Sequence, residues 1–278
     1  GAAISIRAFD GSMAADDARR SREVFLADFK SAVTANALTW LSMEPRRGVV
    51  DYSVVKRILK WTDAHTMPLH GPNIFWGIPK YVPEWLKALD DASLRKVLEA
   101  RGRDVGRRYR GRFAEYDLNN EMIHGNYYAD RLGDRITLEM AQWVRAEDPE
   151  AKLFVNDYDI LTGNRLDAYV AHIRALLAMG VPLAGIGVQG HLHGDTFDAE
   201  ALRHALDTLA QFNLPIRITE FNFPGQRSKF HLDPKLKITP EEEEAKARAI
   251  VNYYRICFAH PAVQGILMWG FWEGANWI

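Results

Sequence analysis

Short apolar runs alternate with longer amphipathic segments along the whole chain. The apolar runs are mostly free of internal polar residues, as buried parallel strands are, and they cover residues 1–8, 29–41, 67–76, 113–121, 152–155, 184–188, 214–220 and 263–268. In the segments between them apolar residues recur at helical spacing, which predicts helices over residues 14–26, 52–65, 93–110, 137–145, 164–179, 198–212 and 240–258. We expect Ser93 to cap the third of these helices.

Polar and aromatic residues cluster where each predicted strand ends. About eight strands in alternation with helices predict an α/β fold, a single (β/α)8 TIM barrel with its active site at the carboxyl ends of the strands. We expect one catalytic domain over residues 1–278, because no linker or repeat interrupts the pattern. Only residues 274–278 follow the last strand and its motif, so the eighth helix is missing. The chain is therefore either a piece of a longer protein or a barrel that closes without that helix.

Composition narrows the class of function. The 278 residues are 47% hydrophobic and carry a formal net charge of −1, so nothing in the charge favours a nucleic acid or an acidic membrane surface as partner. There is no apolar run long enough to span a bilayer and no signal peptide. The chain opens at Gly1, so a leader could have been removed before it. The single cysteine, Cys257, excludes an internal disulfide framework and a cysteine-based metal site.

Two weaker motifs are given a structural interpretation. Gly185, Gly187 and Gly190 have the spacing of a dinucleotide fingerprint, but no helix opens within the motif to meet a phosphate. His191 and His193 face opposite ways in an extended segment, which disfavours a metal site. We therefore expect neither a cofactor nor a metal.

Two glutamates stand at the ends of apolar runs. Glu121 closes the run that leads through Tyr116, and Glu220 closes a second run 99 positions later. Two carboxyl groups held rigidly at strand ends are what glycoside hydrolysis requires, one to donate a proton and one to attack the sugar. We interpret Glu121 as the acid/base and Glu220 as the nucleophile.

Other side chains suit a sugar-binding cleft. Asn120 lies beside the predicted acid and is placed to bond a sugar hydroxyl, and His191 is placed to orient Glu220 by a hydrogen bond. Tryptophans stack well on the apolar faces of sugars, and the candidates are Trp76, Trp269 and Trp277. His124 either lines the side of the cleft that holds the leaving sugar or caps a turn.

Taken together, these motifs resemble glycoside hydrolase family 10, the β-1,4-xylanases, over nearly the whole chain. The matching stretches are residues 117–121 and 218–220 for the two glutamates, 156–158, 185–191 and 268–270 for the fifth, sixth and eighth strands, and 70–76 with 79–81 for a plant-type third strand. The resemblance implies a retaining endo-xylanase with a glycosyl-enzyme on Glu220, secreted and monomeric. It also implies substrate-binding or supporting roles for Asn36, Tyr158 and Gln189, besides the residues named above.

Several positions depart from the family pattern. The departures are Ala35 for a Glu, Thr39 for a Lys, Pro72 and Gly77 for two His, Asn222 for an Asp, and Glu273 where many members have Asp. Each lost charged hydrogen bond weakens sugar binding by about 1.5–3 kcal/mol, so we expect weaker contacts to the glycone sugars and more room around them. We therefore expect a substituted xylan as substrate. The alternatives are a carbohydrate-binding pseudoenzyme and the same chemistry on a β-glucan.

Overall fold

The computed structural model describes residues 1–71, 73–192, 194–223, 228–229, 233 and 235–271. Within these residues nine parallel strand segments form one sheet: β1 (Ala2–Ala3), β2 (Ala32–Val33), β3 (Leu69–Gly71), β4 (Phe75–Trp76), β5 (Glu115–Asn120), β6 (Leu153–Asp157), β7 (Leu183–Val188), β8 (Ile216–Phe221) and β9 (Val263–Met268). Strand β1 pairs with both β2 and β9, while β3 and β4 both pair with β5. The sheet is thus a closed barrel of eight positions, with β3 and β4 sharing the third. The predicted fold class is confirmed.

Helices follow the strands and surround the barrel. They are α1 (Arg7–Asp10), α2 (Ala15–Asp28), α3 (Trp40–Met43), α4 (Ser53–Ala64), α5 (Glu84–Lys87), α6 (Asp91–Arg108), α7 (Tyr127–Leu132), α8 (Ile136–Glu147), α9 (Leu166–Ala178), α10 (Ala199–Ala210) and α11 (Pro240–Ala259), with 3-10 turns at Ala35–Leu38 and Pro79–Tyr81. Strands and helices share one large core, in which Leu118, Val155, Ile186 and Ile218 are fully buried. None of the helices in the described ranges is long and apolar enough to cross a membrane.

The first strands are shorter than the apolar pattern predicts. Residues 1–8 were expected to be one strand, but only Ala2–Ala3 is, and α1 then packs Ala8 against α2. In residues 29–41 the chain leaves the sheet after Val33, because Ala35 has a φ of +47° and starts a 3-10 turn. Residues 67–76 form two short strands rather than one.

The cap expected at Ser93 is wrong. Helix α6 begins at Asp91, and the carboxylate of Asp90 accepts hydrogen bonds from the Ser93 amide at 2.8 Å and from its hydroxyl at 2.9 Å. An N-cap side chain bonds the amide two or three residues further on. Ser93 is therefore the donor to the cap and not the cap. The residues after 271, where the eighth helix would follow, lie outside the described part of the chain.

The two strands that carry the predicted catalytic residues have matching irregularities. The pairing of β5 with β6 shifts between Asp117 and Asn120, and the pairing of β8 with β9 shifts between Ile218 and Phe221. In each case two residues of one strand, 118 and 119 or 219 and 220, oppose one residue of its neighbour. Such a bulge re-aims a side chain and is common beside active sites.

Candidate active site

A cleft of about 500 Å³ lies at the carboxyl ends of the strands. Because parallel strands end at the same edge of a barrel, residues distant in sequence meet there. All the predicted site residues that the structure describes line this cleft. They are Asn36, Trp76, Asn120, Glu121, Tyr158, Gln189, His191, Glu220 and Trp269. Trp277 lies outside the described residues, as do Pro72 and Glu273.

Glu121 follows directly after β5 and has a φ of +58°. This left-handed conformation costs a non-glycine residue on the order of 1–3 kcal/mol and is concentrated at functional sites. Its amide donates to the Asn156 carbonyl at 2.9 Å. Its carboxyl group receives two hydrogen bonds, from Trp76 Nε1 to Oε2 at 2.9 Å and from Gln189 Nε2 to Oε1 at 2.8 Å.

Burial raises the pKa of Glu121 from its ordinary value of 4.5 to about 7. The negative charges of Glu220 and Asp157 act in the same direction, while the bonds from Gln189 and Trp76 favour the carboxylate and lower the pKa. Glu121 thus holds a proton in a large fraction of molecules near neutral pH. This is the property required of a general acid.

Glu220 lies in β8 and is held on both carboxylate oxygens. His191 Nε2 is 3.2 Å from Oε2, and Asn156 Nδ2 donates to Oε1 at 3.3 Å. On its other side the His191 ring bonds through Nδ1 to Asn222 Oδ1. The hydrogen bond predicted between His191 and Glu220 is therefore present, and Asn222 occupies the supporting place where the family pattern has an Asp.

Asn156 connects the two halves of the cleft, and the sequence interpretation did not include it among the site residues. Its Nδ2 donates to Asn120 Oδ1 at 3.1 Å as well as to Glu220, and its Oδ1 accepts from the Thr219 hydroxyl at 2.7 Å. Gly187 makes space for this amide, since a Cβ there would lie 3.0 Å from Asn156 Oδ1. Asn156 is the last residue but one of β6, so the same strand-end reasoning that found Glu121 could have found it.

Aromatic residues form the wall on the Glu121 side. The Trp76 and Tyr81 rings stack with centroids 3.6 Å apart, so one face of Trp76 is covered by protein. The predicted sugar stacking on Trp76 is thus limited to its other face. The ring also has a second task, because its Nε1 donates to Glu121.

His124 satisfies both interpretations left open by the sequence. Its backbone amide donates to the Glu121 carbonyl at 3.0 Å and closes a turn. Its ring lines the cleft, stacks on Tyr158 with centroids 3.5 Å apart, and bonds through Nδ1 to Asp157 Oδ1 at 2.6 Å. Asp157 also accepts from the amides of Ile123 and Tyr158, both at 3.0 Å. Asp157 therefore fixes the platform that Tyr158 and His124 present to the cleft.

A charged network lies beneath the cleft. His70 Nδ1 is 2.8 Å from Glu115 Oε1 and its Nε2 is 3.5 Å from Asp117 Oδ1, and Arg217 pairs with Glu115. Burial by itself lowers the pKa of His70, but Asp117 and Glu115 outweigh it and raise that pKa to about 9. His70 is therefore an imidazolium at neutral pH, and it balances the carboxylates of β5.

The departures from the family pattern do not all create room. Gly77 is buried and does not line the cleft, because the chain at Asn126 and Tyr127 fills the place where its side chain would point, 3.3 Å from its Cβ position. Thr39 is also buried and donates to the Asn36 carbonyl at 2.9 Å. The expectation of extra space at these two positions is wrong. Ala35 alone of the three faces the cleft.

A side pocket of about 210 Å³ adjoins the cleft at Ala35. The two hollows share Ala35, Asn36 and Trp269 in their walls. Ala35, where the family pattern has a Glu, thus stands between the cleft and this pocket. Among the described residues no cluster of three or more His, Cys, Asp or Glu side chains could hold a metal ion.

A closed parallel barrel with two glutamates in one cleft at its carboxyl edge defines a glycoside hydrolase of the barrel type. Residues 1–278 match the model of glycosyl hydrolase family 10. The chain belongs to that family, and the resemblance predicted from its motifs is confirmed.

Related proteins carry different names. The chain is 37% identical over 254 residues to anti-sigma-I factor RsgI6 of Acetivibrio thermocellus. The matched stretch covers 91% of this chain and 31% of that protein. It is 34% identical over 255 residues to endo-1,4-beta-xylanase 1 of Arabidopsis thaliana, covering 90% of this chain and 25% of that one. The chain thus spans between a quarter and a third of the length of these two relatives.

A solved structure has the same fold. Native xylanase 10B from Thermotoga maritima matches with a TM-score of 0.85 and 25% identity, over 100% of this chain and 84% of that one.

Proposed function

We propose that this chain is the catalytic domain of a retaining endo-1,4-β-xylanase, in which Glu121 is the acid/base and Glu220 the nucleophile. The proposal depends on one observation: the two glutamates differ in how the surrounding residues affect the protonation of their carboxyl groups. Burial keeps a proton on Glu121, whereas Glu220 is held by His191 and by the Asn156 amide. One carboxyl group is thereby suited to donate and the other to attack.

The first step forms a glycosyl-enzyme. A Glu220 oxygen attacks the anomeric carbon as the glycosidic bond breaks, and the proton of Glu121 passes to the departing oxygen. In the second step Glu121, now a carboxylate, takes a proton from water while the water oxygen attacks the anomeric carbon and releases Glu220. The charge of Glu220 raises the pKa of Glu121 in the resting state. Esterification removes that charge, lowers the pKa and favours the switch from acid to base.

A substituted xylan is the proposed substrate. The side pocket beyond Ala35 supports this, because it offers space next to the cleft for a group attached to a sugar. A β-glucan needs room for its hydroxymethyl groups. The room expected beside Gly77 is filled by the chain at Asn126 and Tyr127, and this disfavours a β-glucan. We propose further that the protein acts outside the cytoplasm, since a polysaccharide does not cross a membrane. We also propose that it acts as a monomer.

A binding role without turnover is the second candidate. It is favoured by the absence of the family's Glu and Lys at Ala35 and Thr39, and by a relative named as an anti-sigma-I factor at 37% identity. The hydrogen bonds that hold the carboxyl groups of Glu121 and Glu220 in place favour the first candidate, a catalytically active enzyme.

Release of reducing ends separates these functions. We would incubate the protein with linear xylan, glucuronoarabinoxylan and mixed-linkage glucan, beside a Glu220→Ala control. The proposal predicts cleavage of xylan that is lost in the control, with the substituted polymer cleaved best. Azide added to Glu220→Ala should restore bond cleavage and give a glycosyl azide of inverted configuration, because the anion enters the space left by the carboxylate. Tight binding of xylan with no cleavage by the unmodified protein would favour the second candidate.

A further inference from the structure

Lys80 lies at the rim of the cleft on the side of the acid/base. It belongs to the 3-10 turn Pro79–Tyr81 and is exposed, and its Nζ lies 4.6 Å from the centre of the Tyr81 ring. That ring stacks on Trp76, whose Nε1 donates to Glu121. An unbroken series of contacts therefore ties the position of the ammonium group to the proton donor.

Two of the described residues that line the cleft carry a positive charge at neutral pH: His70, which is buried and already paired with Glu115 and Asp117, and Lys80 at the rim. Among the described residues that line the cleft, Lys80 is the only Lys or Arg, while Asp117, Glu121, Asp159 and Glu220 supply carboxyl groups. Within the described ranges no Asp or Glu forms an ion pair with Lys80, whereas Lys87 nearby pairs with Glu84 at 2.6 Å. A negatively charged group entering this end of the cleft meets a cation that is not already neutralised.

We propose that Lys80 selects for an acidic side group on the polysaccharide, the carboxylate of a uronic acid attached to a sugar bound on the Glu121 side. The inference rests on the proposed xylanase function and deepens it by naming the side group. Attraction to Lys80 offsets the repulsion that the carboxyl groups of the cleft exert on such a substituent. Uncharged side groups, such as acetyl or arabinosyl, gain nothing from it.

The contact with Tyr81 gives the ammonium group a fixed position. A cation over an aromatic face is attracted by the ring, so Lys80 samples fewer conformations than a free surface lysine. Tyr81 is half-buried and braced by Trp76. The lysine is thus presented toward the cleft at little further entropic cost when a carboxylate arrives.

The test compares two substrates that differ only in whether the side group ends in a carboxylate or in a neutral hydroxymethyl group. Glucuronoxylan and the same polymer with its uronic acids reduced to the neutral sugar are cleaved by the unmodified protein, by Lys80→Gln, by Lys80→Arg and by Lys87→Gln. Lys87→Gln is the matched control, because it removes one lysine charge that does not line the cleft. We expect Lys80→Gln to lower kcat/KM on the acidic polymer about two- to fivefold, the range for an exposed ion pair. The loss should come mainly through KM.

Three further results are expected. Lys80→Gln lowers kcat/KM on the reduced polymer much less than on the acidic one, Lys80→Arg retains the preference for the acidic one, and Lys87→Gln behaves as the unmodified protein. The preference should also fade at about 1 M salt, where the Debye length is about 3 Å. Equal losses on both polymers, or an unmodified protein that does not distinguish them, would overturn the proposal.

The proposal and the xylanase function fail in different ways. If no polymer is cleaved, the xylanase proposal fails, and calorimetry then measures binding of xylo-oligosaccharides with and without the uronic acid carboxylate. Preference for the acidic ligand that is lost in Lys80→Gln would still support the role of Lys80. Equal affinities for the two ligands would reject it.

Discussion

Replacing Gln189 by leucine should raise the pKa of Glu121 above its present value of about 7. Gln189 Nε2 donates to Glu121 Oε1 at 2.8 Å, and this bond favours the carboxylate over the acid. A hydrogen bond to a charged group contributes about 1.5–3 kcal/mol, and 1.36 kcal/mol corresponds to one pKa unit. Loss of the bond should thus shift the pKa upward by about one to two units. The proton donor remains protonated to higher pH.

The assay is the pH dependence of kcat/KM on an aryl xylobioside with a poor leaving group. Its alkaline limb reports the pKa of the acid in the free enzyme, so the limb should move from about pH 7 to about pH 8–9 in Gln189→Leu. Trp76→Phe is the matched variant, because it removes the donor to Oε2 and retains an aromatic ring. It should shift the limb in the same direction.

A leaving group of low pKa serves as the control, since it departs without a proton and its rate should not follow the ionisation of Glu121. A limb that stays in place in both variants, or moves to lower pH, would refute the reasoning. It would mean that another group, and not Glu121, sets the alkaline limb.

Two further variants test the support beneath the site. Gly187→Ala places a Cβ 2.8 Å from the Val155 carbonyl oxygen and displaces Asn156. We expect this variant to lose at least about tenfold in kcat and about 1–3 kcal/mol in the free energy of unfolding. Gly194→Ala is the control: its Cβ meets nothing within 4 Å, so both kcat and stability should stay unchanged. The raised pKa of His70, about 9 against an ordinary 6.5, adds up to about 3 kcal/mol of stability, present in full below pH 6.5 and lost as the pH rises through 9. Denaturant titrations should therefore show His70→Gln to be destabilised at pH 6 and close to the unmodified protein at pH 10; a penalty independent of pH would show that the charge of His70 does not matter.

Periodicity along the sequence predicted the later strands better than the first ones. Strands β5 to β9 hold five or six residues each, and a run of that length is visible as an apolar stretch. Strands β1 to β4 hold only two or three residues. The apolar residues on either side therefore made the predicted strands longer than the observed ones. The chain leaves β2 just before Ala35, which has a positive φ. Alanine has no preference for positive φ, so the sequence could not predict this.

Strand ends also located most of the site, because the topology of a barrel brings them together. What the sequence did not show are contacts between distant segments. Tyr81 covers one face of Trp76, the chain at Asn126 fills the space beside Gly77, and Asn156 reaches both Asn120 and Glu220. Each of these contacts depends on how separate segments of the chain meet in the fold, which local composition does not record.

Asn222 gives His191 a freedom that a carboxylate partner does not. A carboxylate only accepts hydrogen bonds, so it fixes the proton on Nδ1 and leaves the Nε2 of a neutral ring without one. An amide that turns by half a rotation presents its NH2 group instead, and the neutral ring then carries its proton on Nε2, which faces Glu220 Oε2 at 3.2 Å. With the amide turned in this way, the neutral ring donates to the nucleophile through Nε2, whereas with Asn222 Oδ1 facing Nδ1 a neutral ring keeps its proton on Nδ1 and has none to donate to Glu220.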